Sequence, residues 1–315
     1  MPPQRSHPAN LARIDALTAD LERYLDDARR ADNHSERTLR TVRVGFRNFA
    51  RYLESKANLP PEAFALAAHD LRGWTMWNRD RGVRPISVNS LWRSLRGFFN
   101  FRARELGRPN PYEGATPPRF EAPPPEALER VQVERLFRAA RNLDWISDYE
   151  RALVLALLGT MAYAGLRLGE LLRLERKDVQ VRSGKLRIVE GKGPDGGRTR
   201  FAFVNAALAT LLTAYERQRT LRQLNAPEFF VNPRTKRGLG EITVRRYVRR
   251  IADAAQVKWS PHLLRHSFVT HLLEAGTPVH VVRDLAGHRN VATTLNYYAT
   301  VFDDNRRDAI DTLRY

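Results

Sequence analysis

Apolar residues recur at spacings of three and four along most of this chain, the signature of amphipathic helices. The run from Leu11 to Arg30 predicts one such helix. Ser35 stands where an N-cap is expected, and the helix it opens runs to Leu53 with Leu39, Val42, Phe46, Phe49 and Leu53 on one face. Arg37, Arg40, Arg43 and Arg47 fall on its other faces. A third helix is expected over 68–80. A fourth, over 87–105, turns Leu91, Leu95, Phe98 and Phe99 inward and Arg93, Arg96, Arg102 and Arg104 elsewhere. Residues 11–107 therefore predict a small all-helical bundle.

The pattern breaks at 108–127, where prolines are too dense for helix and favour an extended linker. Beyond it, helices are predicted over 130–142, 148–164 and 167–173. Short strands follow at Val179–Val181, Lys185–Glu190 and Arg200–Val204, separated by Ser-Gly and Gly-Lys-Gly-Pro-Asp-Gly-Gly turns. Further helices are expected over 206–219, 241–255, 261–274, 278–285 and 291–298, with a short charged helix over 304–314. The expected fold class is mainly α in two domains, 11–107 and 128–315, the second carrying a small antiparallel β-sheet.

Composition narrows the partner. The 315 residues are long enough for two cores, and no apolar run is long enough to span a bilayer. The first residues, Met-Pro-Pro-Gln-Arg-Ser-His, lack a secretory apolar segment, so a cytoplasmic protein is expected, with no membrane partner. There is no cysteine, which excludes disulfides and thiolate metal sites. The formal net charge is +18, with +7 in residues 1–107 and +11 in the remainder. An excess of that size, spread over both halves, points to a polyanion such as nucleic acid.

The candidate chemistry lies in 260–298. On a helix, His262, Arg265 and His266 share one face, with Ser260 as N-cap and Pro261 in the first turn. The histidine pair has zinc-ligand spacing, but leucine replaces the glutamate of the metalloprotease signature and Arg265 repels a cation, so no metal is expected. His266 is read as the packed, structural histidine of the two. His288 follows Leu-Ala-Gly, where glycine ends a helix. Arg167 lies between leucines, and Glu170, one turn on, is placed to orient its guanidinium. Lys192 is one of six lysines against 47 arginines and sits among glycines in a hairpin turn. Tyr297 and Tyr298 close the set.

The order Arg167, Lys192, His262-x-x-Arg265, His288 and a tyrosine resembles the tyrosine recombinase (phage integrase) family, on the compact Xer-like and transposon-integrase side. The resemblance implies an N-terminal core-binding, SAM-like helical domain over 11–107, a linker over 108–127 and a catalytic domain over 128–315, together clamping DNA. It implies that Arg167, Lys192, His262, Arg265 and His288 surround a scissile phosphate attacked by a tyrosine, without metal, ATP or other cofactor. It places the nucleophile nine or ten residues after the last histidine, which admits both Tyr297 and Tyr298. Aligning Thr-Thr-Leu-Asn-Tyr-Tyr-Ala-Thr-Val with the family's Thr-Thr-Leu-Asp-x-Tyr-x-His-Val favours Tyr298. Two departures stand out: the lysine hairpin is long and glycine-rich, and Thr300 stands where many members carry histidine.

The expected activity is site-specific recombination of double-stranded DNA by a homo-tetramer on paired sites, through a 3′-phosphotyrosine and a Holliday junction, alone or with a related recombinase or accessory protein. Arg40, Arg43, Arg47, Arg93 and Arg96 are the candidate DNA contacts of the helical bundle. Two rival readings share the fold: a catalytically silent DNA-binding accessory protein, and a type IB topoisomerase-like nicking-closing enzyme.

Overall fold

The structure is a computed structural model, and it describes residues 8–31, 34–56, 66–119, 126–190, 198–288 and Leu295. It divides into two units, Met1–Pro123 and Pro124–Tyr315.

The first unit is built from α1 (Pro8–Arg30), α2 (Glu36–Ser55), α3 (Ala68–Asp80), α4 (Pro85–Ser94) and α5 (Arg96–Leu106). Ser35 caps α2 by accepting from the Thr38 backbone at 3.2 Å. The core gathers Leu25 and Leu39 with the rings of Phe49, Trp74, Phe98 and Phe99. The indole of Trp74 donates to Asn48 at 2.7 Å, so its one polar atom is satisfied as it is buried.

Here the structure corrects the single helix expected over 87–105. The chain breaks at Leu95 into α4 and α5. The break lies between Ser94, whose hydroxyl bonds the Leu91 carbonyl at 2.7 Å, and Gly97. A Cβ on Gly97 would stand 2.7 Å from the Tyr24 hydroxyl of α1. Serine and glycine so placed are a common cause of sharp bends, and this one lets Trp92 and Phe98 enter the same core. Arg102 is a second correction. It is completely buried, bonded through Nε to Asp20 at 2.9 Å, not turned away from the core. Arg40, Arg47, Arg93 and Arg96 are exposed, and Arg43 is half-buried with Glu22 at 3.5 Å.

The second unit packs α6 (Arg130–Asn142), α7 (Asp148–Ala164), α8 (Leu168–Arg173), α9 (Ala206–Leu221), α10 (Glu241–Ala255), α11 (Pro261–Glu274) and α12 (Val279–Ala286). Ser147 caps α7, which is buried along most of its length and packs against α6, α8, α9 and α11. Strands β1 (Val179–Gln180), β2 (Lys185–Glu190) and β3 (Arg198–Phe203) form an antiparallel sheet in chain order. Leu186, Ile188 and Ala202 point to the core, while Val189, Phe201 and Phe203 point out, as the two-residue strand period requires. Ile188 opposes Arg200, so that arginine faces inward with the apolar row.

A second sheet was not expected. Strands β4 (Val231–Asn232) and β5 (Arg237–Gly238) pair antiparallel. Two residues per strand are too few to carry a periodic signal, and the pair is held from outside. The Tyr215 hydroxyl accepts from the Val231 amide at 3.0 Å, and Tyr149 donates to the Val231 carbonyl at 2.7 Å. The helix predicted over 291–298 lies, apart from Leu295, outside the described residues, and that over 304–314 lies wholly outside them. Among the described residues no helix is long and apolar enough to cross a membrane.

Candidate active site

The site is assembled where three helix ends meet. Helix α7 ends at Gly165 and α12 at Gly287, both in the left-handed conformation with φ of +60° and +67°. Such an end leaves its last carbonyls without helical donors. Arginines supply them. Arg265, from the first turns of α11, donates to the carbonyls of Gly165 and Ala286. Arg167, the residue before α8, donates to the Gly287 carbonyl at 3.0 Å, and Arg200 of β3 to the Leu285 carbonyl at 3.2 Å. Three guanidiniums thus gather on three successive carbonyls, 285 to 287, at the negative end of α12.

Glu170 holds two of these cations. The carboxylate is buried, and Oε1 accepts from Arg167 Nη1 at 2.7 Å. Its Oε2 accepts from the Arg167 amide at 2.8 Å and from Arg200 Nη2 at 2.8 Å. Burial by itself raises a carboxyl pKa, but Arg200 and then Arg167 outweigh it and keep Glu170 below the ordinary value. The carboxylate is therefore ionised at neutral pH, and the guanidinium of Arg167 is fixed in direction.

The two arginines singled out from the sequence are unequal. The Arg167 side chain is 42% exposed, whereas Arg265 is 2% exposed. Arg265 forms the floor and Arg167 the open rim. His288 is set by the turn that ends α12, since its amide bonds back to the Arg283 carbonyl at 3.1 Å. Desolvation, then Arg265 and Arg167, push its pKa down to about 4. His262, exposed on α11, is lowered by desolvation and by the same two arginines.

His266 is half-buried, and its Nε2 lies 2.8 Å from Nε2 of His262. It also bonds the backbone of Glu126, and because that bond favours the charged ring, a carbonyl accepts it. Desolvation and then His262 still lower its pKa to about 4. Across the Nε2–Nε2 contact one ring donates and the other accepts, so the pair is compatible with neutral imidazoles. The segment after the proline-rich stretch is tied further to α11, the Leu128 amide donating to Ser267 Oγ at 2.8 Å.

With this geometry in view, the comparisons decide the family. Residues 126–305 match the phage integrase family. Tyrosine recombinase XerA of Pyrococcus furiosus is 30% identical over 273 residues, 86% of this chain and 87% of that protein. The chain belongs to the tyrosine recombinase family. XerD of Caulobacter vibrioides is 35% identical over 229 residues, covering 69% of this chain and 72% of its own. Two solved structures share the fold. XerH bound to palindromic difH substrate, in a post-cleavage complex, has a TM-score of 0.72 at 20% identity over 92% of this chain and 83% of that one. The Tn1549 transposon integrase in complex with transposon right end DNA has 0.66 at 19% identity, over 93% and 99%. This protein is thus a site-specific DNA recombinase, mostly helical with small antiparallel sheets.

In the recombinase, Arg167, Glu170, His262, Arg265, His266 and His288 lie in one connected cluster. Lys192, Tyr297 and Tyr298 lie outside the described residues. Sequence reasoning missed Arg200. An arginine in an alternating strand reads as surface charge, and the available signal was its register, opposite buried Ile188. A cavity of about 650 Å³ opens beside it, lined by Arg200, Phe201, Phe203, Val281, Gly287 and His288 among others.

Proposed function

We propose that this recombinase cuts and rejoins DNA through a 3′-phosphotyrosine, with Arg167, Lys192, His262, Arg265 and His288 around the scissile phosphate and Tyr298 as nucleophile. The observation that carries the reading is the gathering of Arg167 and Arg265 beside His288 at the end of α12. A phosphodiester under attack gains negative charge on its non-bridging oxygens, and fixed cations in a partly desolvated site stabilise that charge most. Arg167 grips an oxygen directly. Arg265 contributes its charge from below.

The tyrosine Oη attacks phosphorus, the P–O bond to the tyrosine forms and the P–O5′ bond breaks. The phenolic proton passes to His262, whose lowered pKa leaves one ring nitrogen unprotonated at neutral pH. His288 hydrogen-bonds the phosphate, and Lys192 delivers a proton to the departing 5′ oxygen. Attack by a 5′-hydroxyl on the phosphotyrosine reverses these steps on a second strand. The ester's energy is kept in the tyrosine linkage, so ATP is not needed, and the guanidiniums neutralise charge without a metal ion.

Two such exchanges by four protomers on paired sites, through a Holliday junction, complete the recombination. Residues 128–315 act as the catalytic domain and 11–107 as the core-binding domain, joined by 108–127. Exposed Arg40, Arg47, Arg93 and Arg96, with Arg43, give that bundle its phosphate contacts. Helices α2 and α4 pack closely, Gly45 directly on Ser94, and Arg96 opens α5 two residues beyond that contact.

The test uses a randomised duplex DNA pool, with SDS-trapped adducts sequenced at their protein-linked ends. Wild type should give adducts at one sequence, in EDTA as well. Tyr298→Phe should abolish them and Tyr297→Phe keep them. The reverse pair of results moves the nucleophile to Tyr297. Adducts at scattered sequences would indicate a nicking-closing enzyme, and none at all a silent DNA-binding protein.

A further inference from the structure

We infer that Arg200 is a positioning residue for strand cleavage, latching the β2–β3 hairpin to the phosphate-binding end of the site. This deepens the proposal above and rests on it.

Arg200 joins three parts of the site at once. Its backbone belongs to β3, paired with β2. Its Nη2 bonds Glu170 Oε2 at 2.8 Å, on the carboxylate that directs Arg167. Its Nη1 bonds the Leu285 carbonyl at 3.2 Å, three residues before His288. The fit is close, since a Cβ on Gly287 would lie 2.3 Å from Arg200 Nε. The side chain is 11% exposed, so these contacts are made where solvent screens them little.

A surface-charge reading explains none of this. A salt bridge formed for stability alone needs one partner, and Glu170 already has Arg167. Arg200 adds a second guanidinium to the same oxygen that receives the Arg167 amide. A carboxylate pulled from both sides cannot swing with Arg167. The same guanidinium holds the last turn of α12, and so the position from which His288 leaves the helix. Two properties of the site, the direction of Arg167 and the place of His288, thus depend on a residue that itself stands back from the rim. The lysine assigned to leaving-group protonation lies eight residues earlier on the same hairpin.

The experiment compares single-turnover cleavage by the full chain on two duplexes carrying the sequence recovered from the randomised pool. One has the natural phosphodiester. The other has a methylphosphonate at the cleaved linkage, which removes the non-bridging charge that Arg167 meets. Arg200→Gln should slow cleavage of the phosphodiester by roughly 10- to 100-fold, the range expected when a charge-stabilising donor is displaced but still present. DNA affinity should stay within about twofold, since the phosphate contacts of the rest of the protein remain. On the methylphosphonate the deficit should shrink to about threefold or less, because no charge is left for a misdirected Arg167 to neutralise.

Arg200→Lys keeps a cation against Glu170 but cannot span to Leu285. It should show a smaller deficit with the same collapse on methylphosphonate, and it carries the test if Arg200→Gln does not fold. Equal deficits on the two duplexes, or full cleavage by both variants, would overturn the inference. Failure of the wild type to form any adduct would instead remove the proposed function, a separate and recognisable result.

Discussion

Removing the charge of Glu170 tests the site most directly. Glu170→Gln keeps the size of the side chain, but an amide presents one acceptor oxygen and a donor that faces a guanidinium. Three bonds now converge on this carboxylate: Arg167 Nη1 at 2.7 Å, the Arg167 amide at 2.8 Å and Arg200 Nη2 at 2.8 Å. Breaking a buried ion pair by removing one partner costs about 3–5 kcal/mol. The Arg167 share is screened, because that side chain is 42% exposed, which lowers the expectation to about 2–4 kcal/mol. For a unit of this size each kcal/mol shifts Tm by about 2–4 °C, so a fall of roughly 5–15 °C is expected. Arg167 keeps its bond to Gly287, so cleavage should drop about 10- to 100-fold and not vanish. Glu170→Asp, which keeps the charge but falls one methylene short, should lie between. Calorimetry and the adduct assay read both quantities. An unchanged Tm with an unchanged cleavage rate would refute the claim that Glu170 directs Arg167.

Further outcomes follow from the same geometry. His266 and His288 are held down to about 4 in the folded protein, so the unfolded chain binds more protons between pH 6.5 and 4. Their contribution is complete above about pH 6.5, the unfolded value, and is lost as pH falls through that window; Glu170, itself depressed, adds a loss below about 4.5. A Tm that stays flat from pH 7 to 5 would contradict this, and a phosphate against Arg167 should raise both histidines, so DNA binding near pH 5.5 should take up protons in calorimetric titrations. Gly287→Ala should cost the about 1–2 kcal/mol of a left-handed non-glycine residue and also displace Arg200, slowing cleavage. Gly276→Ala is the control, with φ of +78° and no atom within 4 Å of the added Cβ, and should lower Tm by the backbone share while leaving cleavage intact.

Much of the molecule was legible before any coordinates. Helices of ten residues or more announce themselves through apolar spacing and caps, because a helix must bury one stripe and satisfy its own first amides. Ser35 and Ser260 cap where they are read to. The chemistry of the site was legible as an ordered set of residue types, since His262, Arg265 and His266 share a helix and their spacing alone puts them on one face.

What only the tertiary structure decided is everything that depends on where separate elements end against one another. The break at Leu95 follows from Gly97 meeting Tyr24, residues more than seventy positions apart. Burial of Arg102 requires Asp20, and β4 and β5 exist because two tyrosines from α7 and α9 hold Val231. The unequal roles of Arg167 and Arg265, and the presence of Arg200 between them, come from three helix ends and a strand meeting at one point. A guanidinium looks alike at every position in a sequence. Its burial, its partner and its direction are set by carbonyls and carboxylates that the chain delivers from far away.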